Sequence, residues 1–241
     1  MGQVAANRLP NLRDRPFEVQ DVVDDGVGSI DGFLSEGLRF LSNSSGVTLG
    51  GAKVMVTLSS GDLHPGRSEL RGIVEEASSR GFPVAVHAVE AEAVSAAADA
   101  IASVSSREQP PGSPPGSKRL RHRIEHCSEL PPDVLSQVVA SGAMVVTQPG
   151  FIYASGTQYL ARVPADMQPY LYRLGALARS GVKLAFGSDA PVADPDPLLG
   201  IYSAVTRRSA EGQRVAAEER IGVEDALRYT TVGPALAGGG R

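Results

Sequence analysis

The sequence holds one cysteine, no tryptophan and four histidines, and aromatic residues make up only 5 % of its 241 positions. A single thiol, Cys127, cannot build a disulfide framework, so packing must hold the fold together. No stretch approaches the roughly 20 consecutive apolar residues that a membrane-spanning helix needs. Met1 to Pro16 carries Arg8, Arg13, Asp14 and Arg15 where a secretory signal would have an apolar core, which makes a cytoplasmic location the default expectation. Basic residues form no stripe or run and the formal net charge is −4, so neither nucleic acid nor a membrane surface is indicated as a partner. Nothing in the sequence specifies an oligomeric state.

What is present suits one large domain, since a 42 % hydrophobic fraction over this length supplies a sizeable core. Residues 1 to 50 form a poorly defined segment, with a short strand expected within Phe17 to Val23 and a helical turn over Ser35 to Leu41. From Gly51 onward the pattern becomes apolar strand, Gly/Pro-containing loop and alanine-rich helix, repeated. The expected strands are Ala52 to Leu58, Phe82 to His87, Arg121 to Cys127, Ala143 to Thr147 and Lys183 to Asp189. The expected helices are Ser68 to Arg80 with Ser68 as N-cap, Glu90 to Val104, Pro132 to Ser141 closed by Gly142, Pro169 to Ser180, Pro197 to Arg208 and Val223 to Thr231. Arg107 to Lys118, rich in Pro, Gly and Ser, reads as an exposed loop, and Gln148 to Tyr153 reads as a loop after a strand. Strands alternating with helices imply right-handed β-α-β units and a parallel sheet. A closed barrel of this type needs eight units in typically ~250 residues; five are legible, and the first fifty residues offer one more.

Three of the strands finish on a residue able to bind a metal: His87, His126 and Asp189. In parallel strands these ends lie on one side of the sheet, so distant residues can converge. His122 alternates onto the same face as His126, but four residues of strand span about 13 Å, which places His126 at the mouth and His122 near the bottom. Asp189 ends a strand with small residues on one face (Ala185, Gly187) and bulky ones on the other (Leu184, Phe186). Neutral imidazoles and a carboxylate bind a divalent ion, which lowers the pKa of its water from 15.7 toward ~7; a neighbouring carboxylate then accepts the proton. Each residue also has a plainer reading: core or surface histidine, and turn or N-cap aspartate.

Arg121-His122-Arg123-Ile124-Glu125-His126, followed by Ala185-Phe186-Gly187-Ser188-Asp189-Ala190-Pro191-Val192, Pro197-Leu198-Leu199-Gly200 and Ala204-Val205-Thr206-Arg207, resembles the amidohydrolase superfamily, in its branch called amidohydrolase family 3. The resemblance spans roughly residues 51 to 235. It implies an α/β fold, a TIM-barrel-type (β/α)8 metal-dependent hydrolase, present here as an incomplete barrel of five to six units over residues 51 to 241. It further implies hydrolysis of carbon–nitrogen bonds other than peptide bonds, with one or two divalent ions, zinc by expectation. By position, His87 and His126 end the fifth and sixth strands as metal ligands, and Asp189 ends the eighth as ligand and base. Lys53 would be the carboxylated lysine of the fourth strand, or else a lysine whose charge reaches solvent at the strand start.

The chain departs from the family at its ends. No two histidines are spaced as His-x-His, and neither the first strands nor the flanking β-sandwich is recognisable. The expectation is therefore a partial member, a fragment or truncated gene model, with the more buried metal lost or weakly held and hydrolysis by this chain alone poor or absent. The rival expectation is a non-catalytic remnant or scaffold of the same fold. No Gly-rich loop with a phosphate-binding lysine supports a phosphate-using barrel. Among the remaining residues, His64 is expected on a loop, Gln148 and Tyr153 along a pocket, Cys127 in an apolar interior, and Arg123 and Glu125 toward the helix layer.

Overall fold

The computed structural model describes residues 17–19, 28–44, 47–105 and 120–239. The expected Pro/Gly/Ser loop at Arg107 to Lys118 lies outside them. The centre of the molecule is a five-stranded parallel sheet made of β4 (Ala52–Met55), β7 (Val84–Ala88), β8 (Arg123–His126), β9 (Met144–Thr147) and β10 (Leu184–Phe186), adjacent in chain order. The connections carry α2 (Arg67–Ser79) and α3 (Ala91–Ser105), then α4 (Pro132–Ser141), α5 (Gly150–Arg162) and α6 (Leu174–Ser180), and finally α7 (Pro197–Thr206) and α8 (Val223–Ala237) after the last strand. This repeating order is the α/β barrel progression the sequence predicts.

The sheet's two faces differ in chemistry. Val54, Val86, Ile124, Val145 and Leu184 stand in register across all five strands and belong to the apolar core shared with α2, α3 and α4. Because side chains alternate along each strand, the opposite face carries Lys53 and Met55, Ala85 and His87, Arg123 and Glu125, Met144 and Val146, and Ala185. Arg123 and Glu125 therefore do not face the helix layer, contrary to expectation. Both are buried, and the Arg123 Nε donates to the Glu125 carboxylate. Alanine dominates the buried surface of α3, which keeps its side-chain layer thin between α2 and α4 on either side.

Several boundaries differ from expectation for identifiable reasons. The strand expected over Ala52 to Leu58 breaks at Val56, and its continuation β5 (Thr57–Ser59) folds back antiparallel on β6 (Asp62–His64); Ser60 and Gly61, both at positive φ, make the turn. Ser68 does not cap α2: Gly66 is the N-cap and Arg67 the first helical residue. The segment expected as a loop from Gln148 enters α5 at Gly150. The helix expected from Pro169 to Ser180 is divided into a 3₁₀ turn, Gln168–Tyr170, and α6. Tertiary hydrogen bonds divide it: the N–H of Tyr172 donates to Ser128 at 2.7 Å and that of Leu130 to Tyr170 at 3.0 Å. Near the start of the chain the helix is α1 (Gly28–Ser35), earlier than the turn expected at Ser35 to Leu41. There β1 (Phe17–Val19), β2 (Asn43–Ser44) and β3 (Val47–Leu49) form a small sheet in the order β1-β3-β2.

Other expectations hold. Gly142, at φ 69°, closes α4 in the left-handed conformation that glycine adopts without a Cβ penalty. Asp196 caps α7 by accepting from the N–H of Leu198 at 2.9 Å, with Pro197 in the first turn where its missing N–H costs nothing. α8 continues past Thr231 to Ala237. Its final carbonyls are taken by arginines: Arg121 Nη1 donates to Leu236 at 2.9 Å and Arg123 Nη1 to Ala237 at 3.1 Å.

Candidate active site

β7 delivers His87 onto the face opposite the helix layer, in register with Met55 and Glu125. His126 reaches the same place by another route. Its register partner is Ala88, a core residue, so strict alternation would send the imidazole into the helix layer. The backbone prevents this: His126 has φ 69° and Cys127 φ 52°, two successive left-handed residues that end β8. Histidine tolerates that region better than most residues. The His126 ring consequently meets His87 edge-on, with centroids 4.4 Å apart and planes at 72°. Cys127 turns into the apolar core, and burial pushes its thiol pKa up to about 12.

The surroundings of both imidazoles disfavour protonation. Burial is the main cause that lowers the pKa of His87 to about 4, and the proximity of His126 and Lys53 lowers it further. Burial likewise lowers that of His126, against the opposing pull of Asp189 and Gln148. His126 Nδ1 lies 2.8 Å from Oε1 of the buried Gln148, and Phe151 stacks along its face at 6.3 Å.

Lys53 is half-buried on the same face, one pleat before the row of His87. Burial lowers its pKa first; Glu125 and Asp189 raise it and Arg123 lowers it, which places all three charges within electrostatic reach of the amine. Asp189 lies beyond the end of β10, exposed, at φ 57°. The expected strand end therefore falls three residues earlier, at Phe186, and Asp189 belongs to a turn whose carbonyl accepts from Val192 at 2.9 Å. Its charge is still felt by Lys53, His87 and His126.

Glu125 and Arg123 are the members of this face that reading the sequence misplaces. The signal was present in the alternation of Arg123-Ile124-Glu125: Ile124 matches the apolar row of Val54, Val86 and Val145, which points its neighbours the other way. Of the remaining candidates, His122 lies at the opposite end of β8, buried, accepting at Nδ1 from the N–H of Val84 at 3.3 Å. His64 is exposed on the β5-β6 hairpin, and Tyr153 sits on α5 with its ring against Tyr202.

Two adjacent neutral imidazoles are a donor pair suited to a divalent transition metal. Among the described residues, however, no three His, Cys, Asp or Glu side chains stand close enough together to hold an ion. The pair is half of a tetrahedral ligand set, and these residues alone do not complete it.

Residues 11–240 match the amidohydrolase family. The chain belongs to that family. Among individual amidohydrolase relatives, it is 29 % identical over 167 residues to YtcJ of Bacillus subtilis (strain 168), which carries an amidohydrolase name; the match covers 68 % of this chain and 30 % of YtcJ. It is 24 % identical over 174 residues to the N-substituted formamide deformylase of Arthrobacter pascens, covering 72 % of this chain and 31 % of that enzyme. In structure it superimposes on an uncharacterized metal-dependent hydrolase from Pyrococcus horikoshii OT3 with a TM-score of 0.72 and 25 % identity, over 87 % of this chain and 44 % of the other. A second such hydrolase, from Pyrococcus furiosus, gives 0.69 and 26 %, over 86 % and 44 %. The amidohydrolase fold is thus a TIM-barrel-type α/β fold represented here by five parallel strands, and the chain spans under a third of the curated relatives' length. No helix among the described residues is long and apolar enough to cross a membrane.

Proposed function

We propose that this chain carries part of the active site of a metal-dependent hydrolase acting on carbon–nitrogen bonds other than peptide bonds, in small-molecule substrates. The observation that carries the reading is the pair of strand-end imidazoles, His87 and His126, with ring centroids 4.4 Å apart, where burial lowers the pKa of both. Neutral imidazole is the form that ligates metal. In this reading the two histidines hold a divalent ion, zinc by its preference for nitrogen donors. When bound, such an ion supplies a water acidic enough to attack at neutral pH.

Asp189, whose charge is felt at both imidazoles, is assigned as the carboxylate that would accept a proton and join the ligand set. Lys53 is assigned as the lysine available for carboxylation, because burial favours the uncharged amine that this modification requires. The Arg123–Glu125 pair sets the charge around that amine. The name of the Arthrobacter pascens relative, a deformylase of N-substituted formamides, supports an amide-type carbon–nitrogen bond as the target.

A second reading, a scaffold that retains the fold without turnover, is favoured by one observation: the described residues bring no third ligand to the histidine pair. Metal analysis of the purified chain supplied with zinc, combined with hydrolysis of a panel of N-acyl and N-formyl amines, separates the two. Stoichiometric zinc and turnover that are both lost in His87→Ala support the hydrolase. Zinc-independent behaviour with no turnover on any panel member favours the scaffold.

A further inference from the structure

The turn after β9 grips His126 from two directions. Gln148 is the first residue past the strand, and its Oε1 meets Nδ1 of His126 at 2.8 Å. Phe151, three residues on, lies nearly parallel to the imidazole at 16°, with centroids 6.3 Å apart. The segment between them is closed by the N–H of Phe151 donating to the Gln148 carbonyl at 3.0 Å and that of Ile152 donating to Pro149 at 3.0 Å. Gln148 and Phe151 are therefore fixed to each other and to the start of α5.

A carboxamide oxygen only accepts hydrogen bonds. Its contact with Nδ1 thus requires the imidazole proton on that nitrogen, which leaves the lone pair on Nε2. Left-handed backbone at His126 and Cys127 takes this side chain out of the ladder, so no strand neighbour dictates its tautomer. We infer that Gln148 is a positioning residue that selects the tautomer and ring plane of His126, making Nε2 the nitrogen offered beside His87. The consequence for metal binding rests on the reading of His87 and His126 as the imidazole pair of the site; the tautomer assignment does not.

Nitrogen NMR of the metal-free chain labelled at histidine distinguishes a protonated from an unprotonated ring nitrogen at mildly alkaline pH. The expected result is the Nδ1–H form for His126 in the wild type and a shift toward Nε2–H in Gln148→Leu, which keeps much of the volume and removes the acceptor. Gln148→Glu retains an acceptor oxygen and is expected to keep the Nδ1–H form, a rescue that remains readable should the leucine variant fail to fold. An Nε2–H His126 in the wild type, or an unchanged tautomer in folded Gln148→Leu, overturns the assignment. Titration of the same samples with Zn²⁺ alone forms the second arm, with an expected weakening of about 10–100-fold in the leucine variant. Tautomers that respond in a wild type that takes up no zinc would uphold the role of Gln148 and overturn the imidazole-pair reading.

Discussion

Gly233 in α8 lies so close to β10 that a Cβ built on it would stand 2.6 Å from the carbonyl oxygen of Leu184 and 2.8 Å from Cα of Ala185. This contact seats the last helix on the last strand. Both neighbours are backbone atoms of a hydrogen-bonded strand, which cannot yield as a flexible side-chain tip would.

Gly233→Ala is therefore expected to destabilise. Alanine's better helix propensity would favour the variant by about 1 kcal/mol, but overpacking against backbone typically costs about 1–3 kcal/mol and should win here. Urea denaturation checks the sign: a lower midpoint is expected, and an equal or higher one would mean that α8 can move away from β10.

Arg207 is among the largest fully buried side chains of the described residues, and its guanidinium spans two segments of chain. Nε donates to Val215 at 3.0 Å, Nη1 to Tyr172 at 2.9 Å and Nη2 to Leu171 at 2.9 Å. These bonds fix the break between the 3₁₀ turn and α6, beside the small cluster of Ile152, Leu171, Tyr172 and Val215. Arg207→Met would leave the carbonyls of Val215 and Leu171 without their donor, each costing about 1–3 kcal/mol if it stays dry, while that of Tyr172 keeps the N–H of Leu174 at 2.7 Å. A loss of about 3 kcal/mol or more is expected by chemical denaturation. Arg207→Lys should recover only part of it, since an ammonium cannot reproduce the planar fork.

Cys127 is a thiol whose environment suppresses ionisation. Burial raises its pKa from 9.0 to about 12, and the thiolate is the reactive form. Native protein is expected to resist thiol reagents at pH 8 and to react on unfolding, monitored by labelling followed by mass measurement. The linkage sign follows: above pH 9 the unfolded chain releases this proton while the folded chain keeps it, so stability falls as pH rises from about 9 toward 12. Cys127→Ala should flatten that portion of the stability profile.

Helix and strand order was legible because its determinants are local. Pro132 to Ser141 with Gly142 reads correctly to the residue, since a proline in the first turn and a glycine stop leave little for tertiary contacts to decide. The divided helix before β10 was not legible, because the break depends on Ser128 and Arg207, both distant in sequence. The same distinction holds for the site. The meeting of His87 and His126 can be anticipated from strand ends, whereas Asp189 lies exposed in a turn three residues past the end of its strand. The face taken by Arg123 and Glu125 was also legible, in the match of Ile124 to the apolar row of Val86 and Val145, whereas the way His126 reaches His87 depends on two backbone dihedrals at the end of β8 that no pattern of polar and apolar residues encodes.

Those two dihedrals also couple properties that are normally independent. His126 and Cys127 are adjacent, yet one turns onto the open face against His87 and the other fills the interior beneath the helices. A single-residue insertion ahead of this junction would move the imidazole to the position that enters the core, and a single-residue deletion would put the thiol where the ring now meets His87. The dipeptide is therefore expected to vary as a unit across relatives, with changes in core volume at 127 accompanied by changes in ring placement at 126.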